Sequence, residues 1–312
     1  MPSGSGRHGR SENYRSALGT WKKSPARSWR APARVAPART SARVWVPSGL
    51  PRVTLLDTAL LFGAGLPLVF AIVFVADRRG AFRRDLFSSP WRKRLALLLL
   101  ALVLVATTLL PAAAGGRAPD VSSLRFSQVF AVQALLAFFL LGWWLLSGRP
   151  PLRSFLGLDT KRPLAEAGAG VALGLIGWTL TIVVGIGAAL LFRVFDYDPH
   201  RAVPPLVSWL ASRPAAQRGL LVLMAMTLEE FHFRSFLQRR LGAVPASVFF
   251  LLAHAGYGEP FFFVGLLAIT TVLAVAFAKT GNAVASILAH GTFDAIQLFI
   301  FLPAALKLLA GN

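Results

Sequence analysis

Three short stretches set acid–base side chains inside apolar sequence. "TLEEFHFR" carries Glu229, Glu230 and Arg234, "FFLLAH" carries Phe250 and His254, and "HGTFD" carries His290 and Asp294. Residues four apart share one helix face, and a glutamate N-terminal to a basic residue is the favourable order, so Glu230 and Arg234 are expected to pair. Glu229 is turned about 100° away on the same helix and has no such partner. It is the freer carboxylate, and a carboxylate held out of bulk water beside a second acid is suited to general-base work. His290 and Asp294 also share a face, where the acid can orient the imidazole.

Each stretch has an inert explanation when taken alone. Charged residues cap helix ends at membrane interfaces, and a single histidine on an apolar helix is more often a hydrogen-bonded packing residue than a catalytic one. The combination is harder to explain that way. Ionisable groups at lipid depth cost on the order of several kcal/mol unless they face a bundle interior or a wet cavity, and three helices here direct Glu, His, His and Asp inward. Metal chemistry has thinner support. There is no H-E-x-x-H, and Glu229 with His232 gives one E-x-x-H where a carboxylate-bridged dimetal bundle uses two. A zinc site built from Glu229, His254 and His290 stays chemically open, His232 is read as incidental, and the expectation is no metal and no other cofactor. Without cysteine, disulfide and thiolate chemistry are excluded.

The elements that must carry these residues are helices in a membrane. Hydrophobic residues make up 55% of the 312, and mean hydropathy is +0.60. Uncharged runs at Thr58 to Ala76, Leu95 to Gly116, Phe126 to Gly148, Ala167 to Phe192 and Pro260 to Ala278 are each long enough to cross about 30 Å of hydrocarbon. Three further apolar segments hold the ionisable residues: Ala216 to Gln238, Leu241 to Tyr257 and Gly281 to Leu306. Lipid cannot hydrogen-bond a free backbone, so these too are expected to be helical. The prediction is an all-α, polytopic transmembrane bundle of about eight helices.

Three regions are expected. Residues 1–52 form a tail with eleven basic residues against one acid, Glu12, and no run that builds a core, so disorder is the default. A transit peptide, a lipid- or nucleic-acid-touching arm, and a true start nearer Val53 are the alternatives. Residues 53–166 are read as the N-terminal transmembrane helices and 167–312 as the C-terminal ones; the first four spans hold almost no ionisable group at lipid depth and read as a scaffold, whereas the last four hold nearly all of them and read as the working half. Basic residues crowd the loops after the first and third spans and the Arg239–Arg240 pair, which assigns those ends to the cytoplasm. The same alternation sends the N-terminus outside, which sits badly with its charge and favours the shorter start.

The three motifs, taken in order, resemble the CPBP family of intramembrane proteases, also called the Abi or CAAX protease family. Its pattern, EExxxR, then FxxxH, then HxxxN or HxxxD on successive helices, falls here on Glu229, Glu230 and Arg234, on Phe250 and His254, and on His290 and Asp294. The resemblance covers about 216–297. It implies an intramembrane endopeptidase in which Glu229, helped by His254, activates a water against a peptide carbonyl. His290 and Asp294 would stabilise the oxyanion, and Glu230, Arg234 and Phe250 would support the site. Better-studied members carry Asn where this chain has Asp294. An ionised aspartate cannot donate to an oxyanion, so Asp294 must be protonated or must act by orienting His290. The implied partners are the lipid bilayer and a membrane protein or lipidated peptide as substrate, with no nucleic acid. The implied location is a bacterial inner membrane with the site opening to the cytoplasm. A non-catalytic immunity or scaffold protein of the same fold and a proton-coupled transporter are the competing functions; intact motifs weigh against the first, and the lack of visible repeats or paired broken helices against the second.

Overall fold

In the computed structural model every regular element among the described residues is a helix, as apolar segments without hydrogen-bonding solvent require. Residues 55–113, 121–194, 205–257 and 260–309 are described. The expected tail at 1–52 lies outside them, as do Arg117, Asp196, Asp198 and Glu259, which bear on the orientation argument. Pro51–Asn312 clusters as one unit.

Eight principal helices run through the described residues. They are α1 (Leu55–Arg78), α2 (Pro90–Ala112), α3 (Phe126–Leu146), α4 (Pro163–Val194), α5 (215–241), α6 (Ala243–Ala253), α7 (Pro260–Thr280) and α8 (Ala283–Leu308). Shorter helical pieces, Leu152–Leu156 and Pro205–Ala211, lie between them. Five helices, α2, α3, α4, α7 and α8, are long and apolar enough to cross a membrane. Large apolar side chains such as Leu102, Phe138, Val183 and Ile186 are exposed on their outer faces, where lipid makes that exposure favourable. The chain is an integral membrane helical bundle.

Several of the expected spans depart from a regular helix. The segment expected over Leu241 to Tyr257 is helical only to Ala253, about 16 Å at the usual rise. His254 caps its end, and a single 3-10 turn, Ala255–Tyr257, follows with Gly256 at its centre. The helices α5 and α8 are not uniform either: their backbones open into wide π turns over Phe231–Gln238 and Ile296–Phe301. Turns of this kind concentrate at functional sites. In α8 one carbonyl within the wide turn, that of Leu298, accepts from Arg218 of α5 at 2.6 Å.

Packing fixes the helices that carry the motifs. The outer helix α4 is mostly lipid-facing, yet Gly170, Gly174 and Gly177 are buried. A Cβ added at Gly174 would meet the Ala289 carbonyl and the Thr292 Cβ at 2.6 Å, so only glycine allows α4 this close to α8. On its other side Gly291 of α8 meets Met226 of α5. Aromatic rings join the first half of the chain to α5: Phe236 lies 4.6 Å from Trp143 and 4.9 Å from Phe139 of α3, centroid to centroid. The far end of α5 is tied down as well. Ser235 Oγ donates to the Leu156 carbonyl, and Arg239 donates to the carbonyls of Ser154 and Gly281. Gly157, with φ of 71°, takes the left-handed turn under that clamp, where a side chain would strike Ser235 and Arg239.

Candidate active site

The two glutamates close the regular part of α5, just before its wide turns. Consecutive residues on a helix diverge by about 100°, and these two enter different surroundings. Glu230 is fully buried beside Arg234, with Oε2 3.5 Å from the guanidinium Nε. That distance gives charge attraction without an aligned hydrogen bond, and neither atom has another hydrogen-bond partner. The remaining guanidinium nitrogens donate to Ser247 Oγ at 3.3 Å and the Thr270 carbonyl at 3.4 Å, while the group lies over the Phe250 ring at 5.2 Å. On its other side, Glu230 Oε1 is 3.1 Å from His290 Nδ1, and His290 Nε2 is 3.4 Å from Asp294 Oδ2. Arg234, Glu230, His290 and Asp294 therefore form a continuous polar line between α5 and α8.

Glu229 is buried without a cation from its own helix. Gln133 Nε2, from α3, donates to its Oε1 at 3.2 Å. Its Oε2 has no hydrogen-bond partner and lies 3.9 Å from His254 Nε2. The His254 Nδ1 is 2.8 Å from the Phe250 carbonyl, which can only accept, so Nδ1 carries hydrogen and Nε2 holds the lone pair of the neutral ring. The ring is boxed in by Phe250 at 4.6 Å and by a nearly parallel Tyr257 at 5.9 Å, itself stacked on Phe262. His254 can be held this way because α6 stops at it: the capping position turns the imidazole back along its own helix.

All seven residues singled out by the motifs lie in one cluster. Phe250 is its centre, since its ring touches Arg234, His254 and Phe233 and lies 6.0 Å from His290. Asp294 is partly exposed and turns Oδ2 toward His290 Nε2, the arrangement an orienting carboxylate takes. His232 stands apart: it is buried among Phe139, Phe233 and Phe236, and neither ring nitrogen has a partner. Gln133, Ser247, Gln238, Thr270 and Tyr257 reach the cluster without belonging to any motif. For Gln133 the sequence did hold a signal, a polar residue seven positions inside the uncharged run that starts at Phe126 and on the face of Leu136, Leu140 and Trp143.

Among the described residues, no three His, Asp or Glu side chains converge as a metal site requires. The set Glu229, His254 and His290 does not fit zinc as these side chains stand, because both nitrogens of His290 face carboxylates.

A membrane-embedded helical bundle enclosing a Glu/His cluster is the class these features define. Residues 211–296 match the family described as Type II CAAX prenyl endopeptidase Rce1-like, which supports the likeness of this part of the chain to the CPBP, or CAAX protease, family. The match takes in every motif residue from Glu229 to Asp294 and leaves out Gln133. No curated protein and no solved structure matches the chain.

Proposed function

We propose that the protein is an intramembrane endopeptidase that cuts membrane-associated substrates with a water activated by Glu229. The supporting observation is the pairing of Glu229 Oε2, buried and unpartnered, with His254 Nε2 at 3.9 Å. This gap is too long for a direct hydrogen bond and suits a water that bonds both groups. Glu229 takes a proton from that water, and its oxygen attacks the peptide carbonyl carbon. As the tetrahedral adduct collapses, the C–N bond breaks and the proton passes from Glu229 to the leaving amine. His254 accepts the water's second hydrogen at Nε2 and so aims the attack.

Glu230, Arg234 and Phe250 hold the site together. His290 has a carboxylate at each nitrogen, so it donates to an oxyanion only by releasing Asp294, and we assign the His290–Asp294 pair first to holding the α5–α8 contact. The proposed substrate is a membrane protein or a lipidated peptide. The basic loops support a site opening to the cytoplasm of a bacterial inner membrane.

The test uses purified full-length protein and a Glu229→Ala variant in liposomes. Internally quenched probes, one ending in a prenylated CAAX sequence and one an unprenylated membrane segment, are followed with and without chelator. Cleavage by the parent and none by the variant is expected. Equal cleavage by both would overturn the assignment of the base, loss on chelation would bring back a metal mechanism, and ion flux without cleavage would favour a transporter.

A further inference from the structure

We propose that Gln133, on α3 and outside the matched domain, is a positioning residue for Glu229. Its carboxamide fixes one carboxylate oxygen and so selects the other to handle the proton. The kinetic part of this inference rests on the peptidase reading; the contact itself does not.

The geometry separates the two oxygens of Glu229. Oε1 receives the amide hydrogen of Gln133 at 3.2 Å, while Oε2 has no donor and lies 3.9 Å from His254 Nε2. A carboxylate held at one oxygen cannot spin about its terminal torsion, so the second oxygen keeps a fixed direction. The amide's own orientation is set by the same contact. Gln133 Oε1 is buried with no partner of its own, and turning the amide over would press it against Glu229 Oε1, acceptor against acceptor. The position of Gln133 is equally fixed. One, two and three turns further along the same face of α3, Leu136, Leu140 and Trp143 are buried, and Trp143 packs on Phe236 of α5. The aromatic seam that joins α3 to α5 therefore also sets the distance from Gln133 to Glu229.

A neutral donor is chemically apt here. A lysine or arginine in this place would pair with the carboxylate and weaken it as a base, whereas an amide orients it without adding charge. Across the same helix, Arg234 gives Glu230 the cation that Glu229 lacks. The glutamate that must exchange a proton thus has the amide.

The experiment uses the full chain with Gln133→Met, which keeps the shape and removes the donor. One readout needs no catalysis. A hydrophobic carbodiimide attacks the protonated acid, and the amide donor favours the ionised one, so mass spectrometry should find Glu229 labelled several-fold faster in Gln133→Met. Gln133→Glu sets a second acid against Oε1 and is expected to raise labelling further, which covers a methionine variant that does not fold. With a cleavable probe, kcat in Gln133→Met should fall about tenfold while KM stays within about twofold, with the tryptophan-fluorescence melt unchanged. Unchanged labelling of Glu229 in either folded variant overturns the inference. So does a rise in KM at constant kcat, which would make Gln133 a substrate-binding residue. Should Glu229→Ala still cleave, the peptidase reading fails, and labelling decides the contact by itself.

Discussion

Glu229 and Glu230 are neighbours in the chain and opposites in the fold. Glu230 has a guanidinium on one side and an imidazole on the other, both part of a polar line that crosses from α5 to α8. Glu229 has a neutral amide at one oxygen and nothing bonded at the other. Buried charge with charged partners is fixed in place; breaking such a pair leaves an uncompensated ion, so it works as a structural tie. Buried charge with one neutral partner keeps its capacity to react. The roughly 100° between consecutive helical positions lets one stretch of regular helix serve both purposes.

The comparison breaks most visibly if the two glutamates are exchanged for glutamine one at a time. Glu229→Gln is expected to lower cleavage by about 10²- to 10⁴-fold, the range for loss of a general base, with the melting temperature held or raised. Glu230→Gln should show the reverse emphasis: a lower melting temperature and a smaller loss of rate. Parallel rate and melting measurements decide it, and two variants with the same profile would erase the distinction drawn between them.

Arg234→Met probes the tie alone. It leaves Glu230 buried without its cation, and breaking a buried pair destabilises by about 3–5 kcal/mol. The chain has eight tryptophans and no cysteine, so intrinsic fluorescence is the convenient reading of unfolding in detergent. Adding Glu230→Leu to Arg234→Met should restore much of the loss, since no charge is then stranded. A double variant less stable than the single one would show that Glu230 is held chiefly by His290.

These differences mark where the sequence could be read and where it could not. The motif residues were legible because each motif spans one helical turn, and the i, i+4 rule needs nothing beyond α geometry. Eight helices were legible because lipid leaves the backbone no alternative. The wide turns at Phe231–Gln238 and Ile296–Phe301 had no residue signature, being a shift in backbone hydrogen bonding. The stop at His254, which aims its ring, is marked by the 3-10 turn that follows and a bond back to the Phe250 carbonyl, neither of which a residue type announces. Gln133 carries no charge, so its importance shows only once the fold sets it beside Glu229. The contact of the α4 glycines with α8 joins residues more than a hundred positions apart, which no local pattern reveals. Gly174→Ala tests that contact. Overpacking of this kind costs about 1–3 kcal/mol, and the loss should appear in the melt and, through displacement of His290, in rate. An unchanged melt would remove α4 from the elements that position the site.

The smallest effect is expected at the residue where this chain departs from its better-studied relatives. Asp294 Oδ2 faces His290 Nε2 at 3.4 Å, and the proposed reading counts it with the tie rather than with the reacting pair. An asparagine in its place still presents one oxygen to that nitrogen, so Asp294→Asn loses a charge but keeps an acceptor in the same position. Activity is expected to stay within about threefold and the melt within about 1 kcal/mol, the size of an ordinary hydrogen-bond adjustment. Asp294→Leu, which removes the acceptor, should lower both. The pair of variants separates charge from geometry at this position. Were Asp294→Asn as inactive as Glu229→Gln, the charge of Asp294 would belong to the chemistry, and the boundary between the reacting carboxylate and its supporting line would have to be redrawn to include it.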